Sequence, residues 1–222
     1  MHIKGKMKDS SKRWINRQLR DLYVKRANSD GYRSRAAYKL LEIDDKFHLI
    51  KNAKCIVDLG AAPGGWCQVL SQVSDDDAKI VAVDLVEFAH VNRVRHIVGN
   101  FEDKETQAKI LDYAGCKFDL IVSDMAPSTI GHRQSDHLRI MRLVEDASYF
   151  AQNNLKNGGS FVAKIFQGGE EKHLTDTLKQ NFKKVSFFKP KSSRKESAEI
   201  YIVATQYVSE NVDQRSAEVR EQ

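Results

Sequence analysis

The hydrophobic residues of this chain change their spacing near residue 54. Before that point they recur at helical intervals, which predicts two amphipathic helices separated by a polar loop at 28–35 that contains Gly31. The first predicted helix carries Trp14, Ile15, Leu19, Leu22 and Tyr23, and the second carries Ala37, Tyr38, Leu41 and Phe47. After residue 54, short β-branched runs alternate with helical patterns, which is typical of βαβ units and a parallel sheet.

Five parallel strands are predicted from these runs, at 54–59, 79–84, 95–98, 118–123 and 160–166. Helices are predicted at 65–74, 104–113 and 136–155, and we expect the last of them to end in a cap formed by residues 157–159 (Asn-Gly-Gly). A further helix at 170–181 precedes strand-like runs at 185–189 and 199–206. The connection between these two runs is too short for a helical crossover, so they are predicted to form an antiparallel hairpin at the sheet edge. The expected fold class is therefore α/β, with a mostly parallel seven-stranded sheet, an antiparallel C-terminal hairpin and helices on both faces.

Charge is distributed unevenly along the 222 residues. The formal net charge of +6 combines +9 in residues 1–54 with −3 in the remainder. A solvated helix face would explain such a segment, but a one-sided positive excess is also the usual electrostatic footprint of phosphate contacts. We predict a basic helical extension at 1–53 that belongs to the same fold and binds RNA, a catalytic domain at 54–207 and a polar tail at 208–222.

Composition argues against several classes of protein. Hydrophobic residues make up 41% of the chain and charged residues 30%, which fits a folded globular protein better than a disordered or membrane-embedded one. No run approaches 18 apolar residues and the N-terminus lacks an apolar signal-peptide core, so no membrane association is expected. Cys55, Cys67 and Cys116 form no CxxC pair, which argues against a disulfide framework and a zinc site. We expect a cytoplasmic monomer without a bound metal.

The most informative stretch runs from Asp58 to Trp66. Its residues, Asp-Leu-Gly-Ala-Ala-Pro-Gly-Gly-Trp, form a glycine-rich turn directly after a buried strand, where parallel sheets bind ligands. The G-x-G-x-x-G spacing of a dinucleotide loop is missing, and an acid at the strand end suits a cationic ammonium better than a pyrophosphate. S-adenosylmethionine has that ammonium and no phosphate. The cofactor-binding residues predicted here are Asp58, Gly60, Pro63, Gly64, Gly65 and Trp66.

Three later positions extend this cofactor hypothesis. Asp84 ends the next strand and could accept hydrogen bonds from both ribose hydroxyls, although Asp after a strand is also a common helix N-cap. Asn100 follows the third strand and could contact the adenine edge, although a turn explains it nearly as well. Asp124 follows the fourth strand and is predicted to lie near the positive sulfonium.

Four segments occur in the order seen in the FtsJ family of bacterial 2'-O-ribose methyltransferases, which this chain resembles from about residue 13 to residue 207. They are the stretch from Asp58 to Trp66, Ser-Asp-Met-Ala-Pro at 123–127, Phe-Val-Ala-Lys-Ile-Phe at 161–166 and Ser-Ala-Glu-Ile-Tyr at 197–201. The resemblance implies a Rossmann-like, S-adenosylmethionine-dependent methyltransferase fold with S-adenosylhomocysteine as product. It also implies a catalytic tetrad of Lys39, Asp124, Lys164 and Glu199. The substrate it implies is a uridine in the A-loop of 23S rRNA, within the large (50S) subunit.

The chemistry explains why such a tetrad would be needed. A ribose 2'-hydroxyl is a very weak acid, so its methylation requires a base and close alignment. Lys164 can act as the general base only when neutral. Desolvation and the like charge of Lys39 would favour that form, whereas Asp124 and Glu199 would favour the charged one, and the sequence leaves the balance open. Lys164 is the strongest candidate because a buried strand normally carries apolar side chains. By itself, Lys39 would be interpreted as a solvated residue and Glu199 as part of a surface ion pair.

Basic residues flank the predicted site on both sides. Arg33 and Arg35 precede the helix that carries Lys39, and Lys191 and Arg194 lie in the loop before Glu199. We predict that all four bind RNA phosphates, which would make binding strongly salt-dependent.

One residue departs from the family pattern, and two other interpretations of function stay open. The family usually has Asp where this chain has Asn100. A 2'-O-ribose methyltransferase of tRNA or of an mRNA cap is the nearest alternative, and a non-catalytic ribosome-assembly factor that binds RNA is the second. An exocyclic-amine methyltransferase is disfavoured because its Asp/Asn-Pro-Pro-aromatic motif is replaced by Asp-Met-Ala-Pro at 124–127.

Overall fold

The structure, a computed structural model, describes residues 21–126, 133–167, 171–194 and 196–209, and it confirms the predicted fold class. Six helices are described in these ranges: α1 (Leu22–Ser29), α2 (Ala36–Phe47), α3 (Gly65–Val73), α4 (Lys104–Ala114), α5 (Arg133–Asn154) and α6 (Glu171–Asn181). Seven strands are described: β1 (Cys55–Leu59), β2 (Lys79–Asp84), β3 (Val94–Val98), β4 (Phe118–Ser123), β5 (Leu155–Phe166), β6 (Phe182–Phe188) and β7 (Glu199–Tyr207).

The strands form one sheet in the order β3-β2-β1-β4-β5-β7-β6. The first five in this order are parallel, and β7 is antiparallel to both β5 and β6. The predicted C-terminal hairpin is therefore confirmed, with the last strand inserted inside the sheet and β6 at its edge. This insertion matters for the site, because the start of β7 lies beside the carboxyl end of β5, where Glu199 pairs with Phe166 and Tyr201 with Lys164.

Helices cover both faces of the sheet, and each face has its own hydrophobic core. On one face α2 and α3 contribute Leu40, Ile43 and Leu70 to a cluster with side chains of the central strands. On the other face α4, α5 and α6 contribute Ile110, Phe150 and Leu178 to a second cluster. Strand β1 is buried along its whole length, which explains why its sequence is continuously apolar up to Asp58.

The end of α5 differs from the prediction. The helix ends at Asn154 and the chain enters β5 at once, because buried Leu155 pairs with Phe118 of β4. The next paired residue of β5 is Ser160, so residues 156–159 bulge out of the ladder instead of capping the helix. Gly158 has a φ of +83° there, a backbone conformation that glycine adopts without strain.

Some predictions concern residues that lie outside the described ranges. These include Trp14, Ile15 and Leu19 of the first predicted helix and residues 210–222 of the predicted tail. Among the residues that are described, no helix is both long enough and apolar enough to cross a membrane.

Candidate active site

The structure brings Lys39, Asp124, Lys164 and Glu199 together as two ion pairs. The Lys164 Nζ lies 3.1 Å from Asp124 Oδ1 and donates a hydrogen bond of 2.6 Å to the Asp124 main-chain oxygen. The Lys39 Nζ lies 2.7 Å from Glu199 Oε1. All four side chains are largely buried, with exposed fractions between 7% and 16%. These four residues come from α2, the end of β4, the end of β5 and the start of β7, so only the folded sheet assembles them.

Tyr201 joins the two pairs, and the sequence analysis did not identify it. Its hydroxyl donates a 2.7 Å hydrogen bond to Asp124 Oδ1, and the Lys39 Nζ lies 5.8 Å from the centre of its ring. The period of two along a strand could have indicated this position, because Tyr201 faces the same side of β7 as Glu199.

The electrostatics of the pairs follow from these contacts. Burial alone would raise the pKa of Asp124, but the charges of Lys164 and Lys39 and the Tyr201 hydroxyl outweigh it, so that this pKa is lowered. The pKa of Tyr201 is raised well above its ordinary value by burial and by the neighbouring carboxylates of Asp124 and Glu199. Asp124 is therefore an anion at neutral pH, and Tyr201 is its neutral hydrogen-bond donor.

The loop between β6 and β7 orients Glu199. Buried Ser193 donates a 2.8 Å hydrogen bond from its Oγ to Glu199 Oε1, the same oxygen that pairs with Lys39. The loop is attached to α2 by Glu42, whose carboxylate accepts hydrogen bonds from the backbone N–H groups of Lys191 and Ser192. Neither Ser193 nor Glu42 was predicted from the sequence.

A cavity of about 780 Å³ extends from Asp124 along the carboxyl ends of the parallel strands. Four of the predicted cofactor residues line it: Gly60, Asp84, Asn100 and Asp124. It is also lined by residues that the sequence analysis did not identify, among them Met125, Glu102 after β3, and Arg139, Arg142 and Leu143 of α5.

Asp58 lies fully buried below the glycine turn and is not among the residues that line the cavity. Its Oδ2 accepts a hydrogen bond from the Cys67 thiol at 3.3 Å, while its Oδ1 is buried without a hydrogen-bond partner. Burial, with smaller contributions from the charges of Asp124 and Asp84, raises the pKa of Asp58 to about 7.

The first part of the glycine turn is shaped by the cavity wall. Gly60 has a φ of +79°, and a Cβ at this position would overlap the Met125 side chain. The Asp84 Oδ2 accepts a 2.9 Å hydrogen bond from the Ala62 N–H, and its Oδ1 accepts one of 2.9 Å from the Val86 N–H. Asp84 thus fixes the turn as well as facing the cavity.

The second part of the turn, Pro63 to Trp66, is absent from the cavity wall and contacts the loop before α2 and the first residue of α2. A Cβ at Gly65 would overlap the Ser34 hydroxyl, and one at Gly64 would lie 2.7 Å from the Arg33 guanidinium. The Trp66 indole N–H donates a 2.8 Å hydrogen bond to the Ala36 carbonyl. These positions therefore hold the start of α2 and the loop before it against α3, and the direct cofactor contacts predicted for them stay a prediction.

The two arginines predicted to bind phosphate make internal hydrogen bonds. The Arg33 guanidinium donates to the carbonyls of Pro63, Ala89 and His90. The Arg35 guanidinium donates to the Asp21 carboxylate and the Ser192 carbonyl. The sequence gives no signal of these contacts because their acceptors are distant in the chain. Both residues attach segments of the fold to each other, and their binding to RNA phosphates stays a prediction.

The other two predicted phosphate-binding residues lie in the loop before β7. The Lys191 residue is exposed, and its backbone N–H is the one bound by Glu42. The Arg194 Nε lies 3.4 Å from Asp21 Oδ2, and its side chain is 27% exposed. Within the described residues, no three His, Cys, Asp or Glu side chains are grouped so as to hold a metal ion.

The seven-stranded sheet has a cavity at the carboxyl ends of its parallel strands, next to a cluster of lysines and acids. This arrangement is typical of a methyltransferase, and comparison with known proteins identifies the family. The FtsJ-like methyltransferase family matches residues 32–207, and the chain belongs to that family. It is therefore an enzyme of the methyltransferase class.

Individual relatives support the same family. The chain is 50% identical over 201 residues to ribosomal RNA large subunit methyltransferase E of Zymomonas mobilis, covering 90% of both chains. It is 51% identical over 203 residues to the protein of the same name from Rhodopseudomonas palustris, covering 90% of this chain and 85% of the relative. A solved Plasmodium falciparum structure, provisionally described as a ribosomal RNA methyltransferase, is 32% identical with a TM-score of 0.71, and the match covers 80% of this chain and 100% of that one.

Proposed function

We propose that this protein transfers the methyl group of S-adenosylmethionine to a ribose 2'-hydroxyl of large-subunit rRNA, at a uridine in the A-loop of 23S rRNA. The observation that carries the proposal is the pairing of Lys164 with Asp124 and of Lys39 with Glu199 beside one cavity. The names of the relatives support the rRNA substrate. The paired lysines support transfer to a weakly acidic hydroxyl, which needs a base.

Three features of the chain support S-adenosylmethionine as the cofactor. The cavity, at about 780 Å³, falls within the usual range for small-molecule sites. The Asp58 Oδ1 is buried without a hydrogen-bond partner and could accept from the cofactor's ammonium group, which requires a shift of the glycine turn because Asp58 does not line the cavity. The Asp84 carboxylate has remaining lone pairs for ribose hydroxyls, since each oxygen accepts one backbone hydrogen bond. When bound, the cofactor supplies a methyl group that is activated by a positive sulfonium.

In this proposal Lys164 accepts the proton of the ribose hydroxyl. Its Nζ is held by the side chain and the main-chain oxygen of Asp124, so the base has a fixed position. Lys39, which is paired with Glu199, adds a second positive charge close enough to Asp124 to help keep that carboxylate ionised.

RNA binding is assigned to exposed charges around the site. Exposed Lys191 lies in the loop that orients Glu199, and exposed Lys25 lies on α1. Lys191→Ala is expected to weaken binding of 23S rRNA fragments and to reduce the slope of log K against log salt by about 0.7 to 0.9, the contribution of one phosphate contact. An unchanged slope would place the RNA on another face.

The proposal also includes a monomeric protein in the cytoplasm. Light scattering of the purified protein tests whether it is a monomer.

The decisive experiment uses radiolabelled S-adenosylmethionine and large subunits from a strain that lacks the modification. Alkali-stable label in a dinucleotide would identify ribose methylation, and label on a base would refute the proposal. Label in tRNA or capped mRNA alone would favour the alternative substrates. RNA binding without transfer would favour the ribosome-assembly factor.

The base is tested by Lys164→Ala, with Lys172→Ala on the exposed surface of α6 as the matched control. We expect Lys164→Ala to lower kcat by about 100-fold or more, the usual contribution of a general base, while cofactor affinity stays close to that of the wild type. The control should leave both unchanged. Loss of cofactor binding in Lys164→Ala would indicate a structural role instead.

A further inference from the structure

Asn100, which follows β3 and was predicted to contact the adenine edge, is hydrogen-bonded to Glu102 instead. The Asn100 Oδ1 accepts a 3.2 Å hydrogen bond from the Glu102 N–H, and the Asn100 Nδ2 donates one of 3.3 Å to Glu102 Oε2. Both polar ends of the Asn100 amide are therefore directed to Glu102. The Glu102 carboxylate also makes a hydrogen bond with the Asp146 carboxyl of α5, whose pKa is raised by burial and by Glu102. Because a carboxylate has about four lone-pair sites, Glu102 can still accept a hydrogen bond from a ligand in the cavity that it lines.

Strand order indicates which part of the cofactor reaches this position. The order β3-β2-β1-β4 arranges Glu102, Asp84 and Asp124 in a row along one edge of the sheet. This step rests on the proposed function, in which the reacting sulfonium lies beside Asp124 and the ribose beside Asp84. The part of an adenosyl group that lies beyond the ribose is the base, and β3 is the strand beyond β2.

Packing and hydrogen bonds hold the backbone on both sides of Glu102, so the Cα of Glu102 has a fixed position at the cavity. Neighbouring Phe101 is buried and packs edge to face against Phe150, with ring centres 6.5 Å apart. The Phe101 carbonyl accepts a 3.0 Å hydrogen bond from Gln107, and the Asn100 carbonyl accepts one of 3.0 Å from the Asp103 N–H. The turn is therefore fixed before any ligand arrives.

We propose that Glu102 reads the adenine of the cofactor by accepting a hydrogen bond from its exocyclic 6-amino group, and that Asn100 positions Glu102 for this contact. Glu102 then supplies the carboxylate that this chain lacks at position 100. A base with a 6-oxo group would direct an acceptor towards the carboxylate and would bind less well, so Glu102 is a specificity-determining residue.

Calorimetric titration with S-adenosylhomocysteine and with S-inosylhomocysteine, its 6-oxo counterpart, tests this proposal. The wild type should prefer the adenine compound by about tenfold, the value of one hydrogen bond to a charged acceptor at a partly exposed site. Glu102→Ala should lose most of that preference, and Glu102→Gln, which retains an acceptor oxygen, should recover part of it. Glu105→Ala is the matched control, since Glu105 pairs with Lys109 on α4 and does not line the cavity.

Three results would overturn the inference. The first is an unchanged preference in Glu102→Ala. The second is equal weakening of both ligands, which would mean that Glu102 only maintains the turn. The third is loss of the preference in Asn100→Ala while Glu102→Ala retains it, because Asn100 would then contact the base itself. Failure of the wild type to bind S-adenosylhomocysteine at all would refute the proposed function as well, so the two failures are distinguishable.

Discussion

Replacing Asp58 by Asn should stabilise the cofactor-free protein in alkaline solution while weakening its affinity for the cofactor. Asp58 is fully buried, and burial, followed by the charges of Asp124 and Asp84, raises its pKa to about 7. The Cys67 thiol, which donates to Oδ2, opposes this rise without cancelling it. Ionised Asp58 therefore destabilises the folded protein more than a neutral amide of the same shape, which has no charge to desolvate.

The direction of the pH dependence follows from proton binding. The ordinary pKa of an Asp is 3.8, so between that value and about 7 the folded protein binds more protons at Asp58 than the unfolded chain does. Its stability falls as the pH rises through this range and levels off above it, where both states are ionised. At about 1.4 kcal/mol for each unit of pKa difference, the cost is about 4 kcal/mol at pH 8 and about 2 kcal/mol at pH 5. The advantage of Asp58→Asn over the wild type should therefore grow by about 2 to 3 kcal/mol between these two conditions.

Urea unfolding of the cofactor-free proteins at pH 5 and pH 8, followed by circular dichroism, measures this difference. Asp112→Asn, on the exposed surface of α4, is the matched control. If the difference in the free energy of unfolding between Asp58→Asn and the wild type did not change with pH, the pKa of Asp58 in the folded protein would not be raised by burial. That result would refute the prediction. Calorimetry at pH 8 should also detect at least about tenfold weaker cofactor binding, the effect of losing one charged contact.

Three further substitutions test the surroundings of the site. Ser193→Ala should lower kcat about tenfold without changing the KM for the cofactor, because a hydrogen bond to a carboxylate contributes about 1.5 to 3 kcal/mol. Unchanged steady-state rates would contradict the role of Ser193 in orienting Glu199. Trp66→Phe should lower the free energy of unfolding by about 1 to 3 kcal/mol, because the Ala36 carbonyl loses its indole donor, and urea unfolding would detect this loss. Gly60→Ala should destabilise by a similar amount, about 1 to 3 kcal/mol, because alanine is strained at a φ of +79° and the added methyl overlaps Met125; a wild-type unfolding midpoint would show that the cavity wall can relax.

The strands of the sheet could be predicted because each one is indicated by the residues of its own short segment. Buried parallel strands have continuous apolar sequences, so β2 and β4 have the predicted boundaries and β1, β3 and β7 differ by one residue at one end. Lys164 could be recognised for the same reason, since a charged residue in such a run is unusual. The end of α5 was predicted to within one residue, but its cap was predicted wrongly, because the local signal, Asn-Gly-Gly, competes with the burial of Leu155 against β4, which only the folded sheet provides.

The surroundings of the site could not be predicted because they depend on contacts between distant segments. A cationic side chain in a basic segment gives no indication of whether it meets solvent or backbone carbonyls, and Arg33 meets the carbonyls of Ala89 and His90. Likewise, the orientation of Glu199 depends on Ser193, and the loop that carries Ser193 is bound by Glu42 of α2. The sequence therefore predicts the residue types of the candidate site, whereas it does not predict the residues that hold them in place.

The insertion of β7 between β5 and β6 has a consequence for how the protein is made. The ribosome synthesises β7 after the other six strands, yet β7 carries Glu199 and Tyr201 and lies between β5 and β6. Until β7 emerges, the edge of β5 has no partner on that side and Lys39 has no Glu199 to pair with, so a nascent chain exposes a strand edge that favours aggregation. Under the proposed function, methyl transfer therefore requires that β7 has been added to the sheet.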